Sequence, residues 1–445
     1  MFKRKYKKTV SKVVLAVLVV LAFIILSGLI MLTPLGSSII KSVLESKIDR
    51  YIPGVEVTYL DYGVNNFSVA AKKGHNTLKI YGVLFPLNAM YEGDIANVSE
   101  LTPYFQGRMN LSGKVYIDRN EFAVEGMSFF ANGYMNFKTY LNNDNIRLKA
   151  EGSEFDLQKL LYMLKIKYPS VSGKTDMSVE KSKGVYTGEF KTAAHYNGRI
   201  KTDFTAFTVA KMKCMDNVAF NSQIKSGIGK IFIKGMLNTE NWKYEFDAPD
   251  INISKLKPLL LYPFKGVVQL KGSYDSSNDI IKFKGRNFTG FYDSRLEANF
   301  NMDAKQFFEF MGVEQFLNGN ISGTVKINDK SGTFDVVSGG TLFINSGFVR
   351  KIYYLTGVNL SKEEMGKVFF KGFFDAKKIV FDLLSTNQNV SISVKKGVFE
   401  YPDQYNVILY IRKNNDIYKL KITDKGIKLL EKREFRKQNN KILIF

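Results

Sequence analysis

The chain has 445 residues, of which 45% are hydrophobic and 14% aromatic, and it carries a formal net charge of +22. That is enough apolar material for a large buried core, which excludes a disordered chain; the single cysteine, Cys214, excludes an intramolecular disulfide and decides no compartment. The charge has two readings: attraction to an anionic partner such as phospholipid headgroups or nucleic acid, or the Lys-, Asn-, Ile- and Phe-rich composition that an AT-rich genome imposes.

Residues 1–12, MFKRKYKKTVSK, hold six Lys or Arg and no acid. The next stretch, 13–33, reads VVLAVLVVLAFIILSGLIMLT, and no charged residue occurs between Lys12 and Lys41. About 20 apolar residues span a bilayer core, so a single transmembrane helix is expected here. A cleaved signal peptide would have a shorter apolar region and a small-residue cleavage site, and LTPLGSSII offers none. The basic tip places the N-terminus in the cytoplasm and the bulk of the chain across the membrane, anchored in a single pass.

LGSSIIKSVLESKIDRYIPG follows and predicts a short amphipathic helix, with Ile39, Ile40, Val43, Leu44 and Ile48 near helical spacing and Pro53-Gly54 as its stop. Beyond it the period becomes two. Ile146, Leu148 and Ala150 alternate with Arg147 and Lys149; Ile231 and Ile233 alternate with Lys230 and Lys234. Val390, Ile392 and Val394 alternate with Ser391, Ser393 and Lys395, and Tyr418, Leu420 and Ile422 with Lys419, Lys421 and Thr423. Alternation makes a sheet with one apolar and one wet face. Turn clusters at 142–144 and 275–279 punctuate it, and the whole reads as a long β-meander.

Four short helices are expected to interrupt the strands, capped by Ser99, Asp156, Ser254 and Asp303. Their leading apolar residues are Leu101, Leu160, Leu256 and Phe307, at gaps of 59, 96 and 51. The middle gap suggests a degenerate copy, for which TAFTVAKMKCM at 205–215 is the poor best match. In KLKPLLLYPFKGVVQLKG, at 255–272, the LLLYPF patch predicts a plug or cap helix ended by its prolines, with Gly266 and Gly272 bracketing the resumed strand. The region 331–425 reads as strands around one short helix, for which Ser361 and Glu364 have capping-box spacing. Residues 426–445 read as a basic tail.

No constellation for catalysis stands out. GKT at 173–175 lacks the earlier glycine of a phosphate-binding loop, since position 168 is Tyr. GNISG at 319–323 sets Ser322 one place too late for a nucleophile elbow. His75 and His195 have no cysteine or carboxylate framework around them in sequence. The sequence therefore leads to no enzyme, metal or cofactor expectation, and no basic stripe interleaved with aromatics marks a nucleic-acid module.

The outline resembles the AsmA-like family of Gram-negative envelope proteins. The likeness rests on the anchor ending in LTPLG with PGVEVTYLDYGV after it, on units such as DINISKLKPLLLYPFKGVVQLKG, and on GTLFINSGFVRKI with FDLLSTNQNVSISVKKGVFE near the end. It implies a periplasmic protein anchored in the inner membrane, with an elongated, curled antiparallel β-groove of degenerate repeats over 34–330 and a distinct C-terminal β region over 331–425. Phospholipid is the implied partner, with envelope proteins or self-association beside it. The residues lead to a compatible place: a long sheet must cover its apolar face, and few short helices are in view to do so. Ile146, Leu148, Ile231, Ile233, Val390, Ile392, Val394, Leu420 and Ile422 are the expected lipid-facing positions. The rival reading is a non-enzymatic envelope scaffold or assembly factor that recruits partners by strand addition.

Overall fold

The computed structural model describes residues 36–434 except 51, 64, 103–104, 119–120, 143–144, 167–169, 215–216, 239–240 and 401–403. The stretch 13–33 lies outside these residues; among the described ones, no helix is long and apolar enough to cross a membrane. The protein is mainly β with few short helices, as the alternation requires, and its described residues divide into two compact units.

Unit 1 covers residues up to 226 together with 232–242. Helix α1 (Gly36–Asp49) leads into β1 (Glu56–Tyr62), β2 (Asn66–Lys73), β3 (Asn76–Val83), β4 (Asn88–Ile95), β5 (Met109–Asp118) and β6 (Glu121–Phe130). Then come β7 (Gly133–Asn142), β8 (Asn145–Asp156), helix α2 (Leu157–Met163), β9 (Val171–Ser182), β10 (Val185–Asn197), β11 (Lys201–Cys214), β12 (Asn217–Ser226) and most of β13 (Gly229–Asn238). From β1 to β12 each strand pairs antiparallel with the next. In such a meander every connection after an even-numbered strand falls on the same edge. That edge carries α1, the 3-10 turn Val98–Glu100 and α2; we call it the helix edge, and the opposite one the turn edge.

Unit 2 holds residues 227–231 and everything from 243 onward. Its strands are β14 (Trp242–Asn252), β15 (Val267–Asp275), β16 (Ile280–Lys284), β17 (Phe288–Tyr292), β18 (Leu296–Asp303), β19 (Asn320–Ile327) and β20 (Ser331–Leu342). They continue as β21 (Glu364–Asp375), β22 (Lys378–Thr386), β23 (Val390–Glu400), β24 (Gln404–Lys413), β25 (Asp416–Thr423) and β26 (Gly426–Glu434). This unit too is a consecutive antiparallel meander. Its helix edge carries α3 (Lys257–Leu260), α4 (Ala304–Met311) and α5 (Gly347–Thr356). β19 and β20 pair along eight residues across position 330, and residues 426–434, read above as tail, form β26 on β25.

Local chemistry explains the helix starts. Asp156 and Asp303 cap α2 and α4 as expected, accepting from the backbone N–H of Lys159 (3.0 Å) and Lys305 (2.8 Å). At Ser99 and Ser254 the expectation is corrected: the caps are Asn97 and Asn252, two residues earlier, and each serine hydroxyl donates back to the asparagine (2.7 and 2.6 Å). Asn359 and Ser361 repeat the device (2.7 Å), so Ser361 lies inside a 3-10 turn and Glu364 opens β21 instead of completing a capping box. In all three Asn-x-Ser turns the middle residue, Val98, Ile253 or Leu360, is buried, which pins the turn to the core. The helix of the C-terminal region is α5, capped by Ser346.

The long middle gap has a different origin from the one expected. Residues 205–214 run inside β11, so no helix copy lies there. Four strands separate the turn after β4 from α2, and four separate the turn after β14 from α4, whereas six separate α2 from the turn after β14. The extra length is one additional hairpin.

The core is unevenly distributed. In unit 1, Leu44 and Ile48 of α1 pack on Val57, Phe67, Val69, Ile80 and Tyr91 and close the apolar face of the first strands. In unit 2, α4 and α5 cover β18–β25: Phe308, Val349 and Ile352 share one cluster with Ile321, Val336, Ile392, Leu409, Ile411 and Leu420. The LLLYPF segment completes the cover. Leu261 and Tyr262 pack with Ile327, Phe374 and Ile379, which sit at the turn-edge ends of β19, β21 and β22, so the segment crosses the face from the opposite edge. Pro258 lies in the first turn of α3, where it starts the helix rather than ending it. Leu261 turns the chain in a left-handed conformation (φ 63°), and the Tyr262 hydroxyl donates to the Met311 carbonyl (2.7 Å). Gly266 precedes β15 as expected, but Gly272 lies within it.

Candidate functional site

Each expected groove position has a definite place. Val390, Ile392, Val394 and Leu420 are buried in the closed core under α5, and Ile422 packs against it. They meet protein there, and a ligand would have to displace α5 to reach them. Ile231 packs beside Ala248, Ile251 and Ile253 in unit 2. Ile146 and Leu148 on β8, and Ile233 on β13, are half-buried in unit 1. The view that helices are too few to cover the sheet is thus corrected for β18–β25 of unit 2, where one irregular segment and two short helices pack over the strands; β16 and β17 contribute no residue to a core cluster.

Among the described residues, a broad apolar face with no helix packed across it in a core cluster lies on β9–β12 of unit 1. Its registers form rows across the strands. One row is Gly152, Met177, Phe190, Thr208 and Ser222; a second is Ala150, Val179, Gly188, Ala210 and Phe220; a third is Thr175, Thr192, Ala206 and Ile224; a fourth is Gly173, Ala194, Phe204 and Ser226. No charged residue occurs in these four rows. Four of the hydroxyls among them pair across strands: Thr175 Oγ1 with Thr192 Oγ1 (2.9 Å) and Thr208 Oγ1 with Ser222 Oγ (2.8 Å). Each pair uses one hydroxyl hydrogen internally, which lowers the cost of laying an apolar group over it.

Phe190, Phe204, Phe220 and Ile224 are half-buried, and no residue of β10–β12 belongs to any of the five core clusters. The helix α2 lies against β9, and its buried Met163 packs with Ala131 and Phe155 at the helix edge. Large side chains alternate with Gly and Ala along and across the strands, and the Phe190 ring leans over Gly188, 3.0 Å from where a Cβ there would stand. Most charges from β9–β11 sit on the opposite face, where Lys174, Asp176, Glu180, Glu189, Lys191 and Lys211 take the intervening positions; Lys181 borders the apolar rows at the turn edge, its ammonium over the Tyr186 ring.

The opposite face of unit 1 is laced by ion pairs. Glu125 stands directly between Lys114 and Lys138 on β5–β7, at 2.9 and 3.3 Å, and accepts from the Tyr116 hydroxyl at 2.7 Å. The Tyr116 hydrogen bond, with the two ammonium groups beside it, lowers its carboxyl to about 2. Both histidines meet a single carboxylate: His75 Nδ1 lies 3.2 Å from Glu100, and His195 Nδ1 lies 2.8 Å from Asp203 on the neighbouring strand. Among the described residues no three His, Cys, Asp or Glu side chains converge as a metal-binding group. A shallow depression of about 710 Å³ on unit 2 is lined by Lys326, Asp335, Lys371, Phe373, Asp382 and Lys396 among others. It holds three lysines and two aspartates; Lys326 is already paired with Glu297 (2.9 Å), and Asp382 accepts the Lys396 backbone N–H (2.7 Å).

Sequence reasoning missed Phe190, Phe204 and Phe220. The signal was present, but Thr, Gly and Ala occupy half the inward positions of β10 and β11, so a search for strict apolar alternation passed over them. No protein-family model and no curated protein matches the sequence.

Proposed function

We propose that the protein is an inner-membrane-anchored periplasmic lipid-handling protein that shields acyl chains on the open face of β9–β12 and supports phospholipid transfer to, or homeostasis of, the outer membrane. The observation that carries the reading is an apolar face, uncharged over four rows and with paired hydroxyls, none of whose residues on β10–β12 joins a core cluster among the described residues. The resemblance to the AsmA-like family and the apolar stretch 13–33 supply the compartment and the anchor. A phospholipid with about 30 acyl methylenes would cost roughly 24 kcal/mol to expose to water, at about 0.8 kcal/mol per methylene. A face that keeps those chains covered removes most of that barrier, while the headgroup stays at the wet rim. No catalytic residue or cofactor enters this mechanism.

The test is photocrosslinking of full-length protein, reconstituted in vesicles containing a phospholipid with a diazirine in its acyl chain. Adducts on β9–β12, at Phe190, Phe204 or Phe220, are expected. Adducts absent from these strands would sink the reading. The scaffold alternative draws on β26, which among the described residues pairs only with β25 and leaves an edge for strand addition; protein adducts along β26 without lipid adducts on β9–β12 would favour it.

A further inference from the structure

Two loops on the helix edge of unit 1 are tied into one platform. Gln106 donates its backbone N–H to the Met163 carbonyl (3.0 Å) and its side-chain amide to the Tyr162 carbonyl (2.8 Å). Met163 is buried with Ala131 and Phe155, so the platform is fixed to the sheet. Outward it presents Phe105, Tyr162, Leu164 and Ile166, which are 40%, 62%, 40% and 37% exposed. The turn that carries the last two is closed by hydrogen bonds from Ile166 N–H to the Leu161 carbonyl and from Lys165 N–H to the Tyr162 carbonyl, both 2.9 Å. That double bond pattern ends helices around a left-handed residue, normally glycine. Here the residue is Lys165, at φ 59°.

Four large apolar side chains held outward on a hydrogen-bonded scaffold form a patch that water alone does not favour. The aromatic, aliphatic and lysine composition is that of segments lying at a bilayer interface. The same edge carries α1, and the first described residue, Gly36, follows closely on the apolar stretch 13–33. We propose that this platform docks on an anionic bilayer surface, with Phe105, Tyr162, Leu164 and Ile166 at the headgroup–acyl boundary and Lys159 and Lys165 beside the phosphates. Its position rests on the anchor reading above, but docking does not require that β9–β12 hold lipid.

The test places a single tryptophan in the full chain in a Trp242→Phe background, either by Tyr162→Trp or, on the turn edge, by Phe85→Trp. The protein is reconstituted in phosphatidylethanolamine–phosphatidylglycerol vesicles carrying brominated acyl chains. Phe85 is as exposed to water as Tyr162, and a bromine within the acyl chains quenches only an indole that reaches the bilayer, so lying on the edge near the anchor is not enough to give quenching at 162. Quenching at position 162 is expected to exceed that at 85 several-fold. It should persist when Phe190→Asp and Phe204→Asp deny the face to acyl chains, which separates failure of docking from failure of the lipid-shielding reading. Leu164→Asp with Ile166→Asp should abolish it while the circular dichroism stays unchanged. Equal quenching at the two positions, or none at 162, would overturn the proposal, including the case where a protein partner covers Tyr162 instead.

Discussion

Phe246 and Gly272 stand directly opposite each other on β14 and β15, and the Phe246 ring occupies the space a side chain at 272 would need. A Cβ there would fall 2.4 Å from Phe246 Cζ and 2.2 Å from the Lys282 carbonyl oxygen. The arrangement recurs at Gly290 with Phe283, Gly323 with Phe300 and Gly372 with Phe334. A ring laid over a glycine fills the space above it, and it gives these four glycines and four phenylalanines a common role.

Gly272→Ala is therefore expected to destabilise the protein by about 1–3 kcal/mol, the range for overpacking, even though alanine ordinarily suits a strand better than glycine. Denaturant unfolding of the full chain in detergent, followed by circular dichroism, measures it.

The closed and open faces should respond oppositely to charge. Leu420→Asp puts a carboxylate into a site with no exposure and should prevent folding of unit 2. Phe204→Asp, on a half-buried and uncovered strand position, should leave the circular dichroism near that of the parent while removing acyl photocrosslinks. Equal loss of structure in both variants would show that the β9–β12 face is a packed core.

Asp303→Ala removes the cap that accepts the Lys305 N–H and should cost about 1 kcal/mol. Because Ala304 and Phe308 of α4 sit in the main cluster of unit 2, the loss should appear in the unfolding of that unit.

Acid should weaken unit 1 through Glu125. Its carboxyl titrates at about 2 in the folded protein against an ordinary 4.5, so it binds protons more readily unfolded than folded. The stability it contributes is complete above 4.5 and is lost as pH falls toward 2. The group is on a solvated face, so the contribution is below about 1 kcal/mol. Glu125→Gln should flatten the stability profile between pH 4.5 and 2 and leave it unchanged in shape above that window.

Lys165→Gly relieves a left-handed residue of its Cβ and should raise stability by about 1 kcal/mol. A loss of stability instead would mean that the lysine side chain contributes more than the backbone costs.

The alternation at 146–150, 230–234, 390–395 and 418–423 was enough to identify strands, because side chains of a sheet must face alternately toward and away from the apolar side. Two helix caps, Asp156 and Asp303, were legible for the same local reason: a carboxylate beside free backbone N–H groups. The Asn-x-Ser turns were visible too, but the serine resembled the cap when the asparagine performs it. What the sequence by itself determined is this local grammar of strand, turn and cap, and the presence of an apolar face. Which part of that face is covered was decided only by the tertiary structure. LLLYPF meets Ile327, Phe374 and Ile379 from more than sixty positions away, and no periodicity encodes a contact that chain folding alone brings together. Val390 and Phe204 follow the same alternating pattern; α5 lies over one, and nothing described lies over the other.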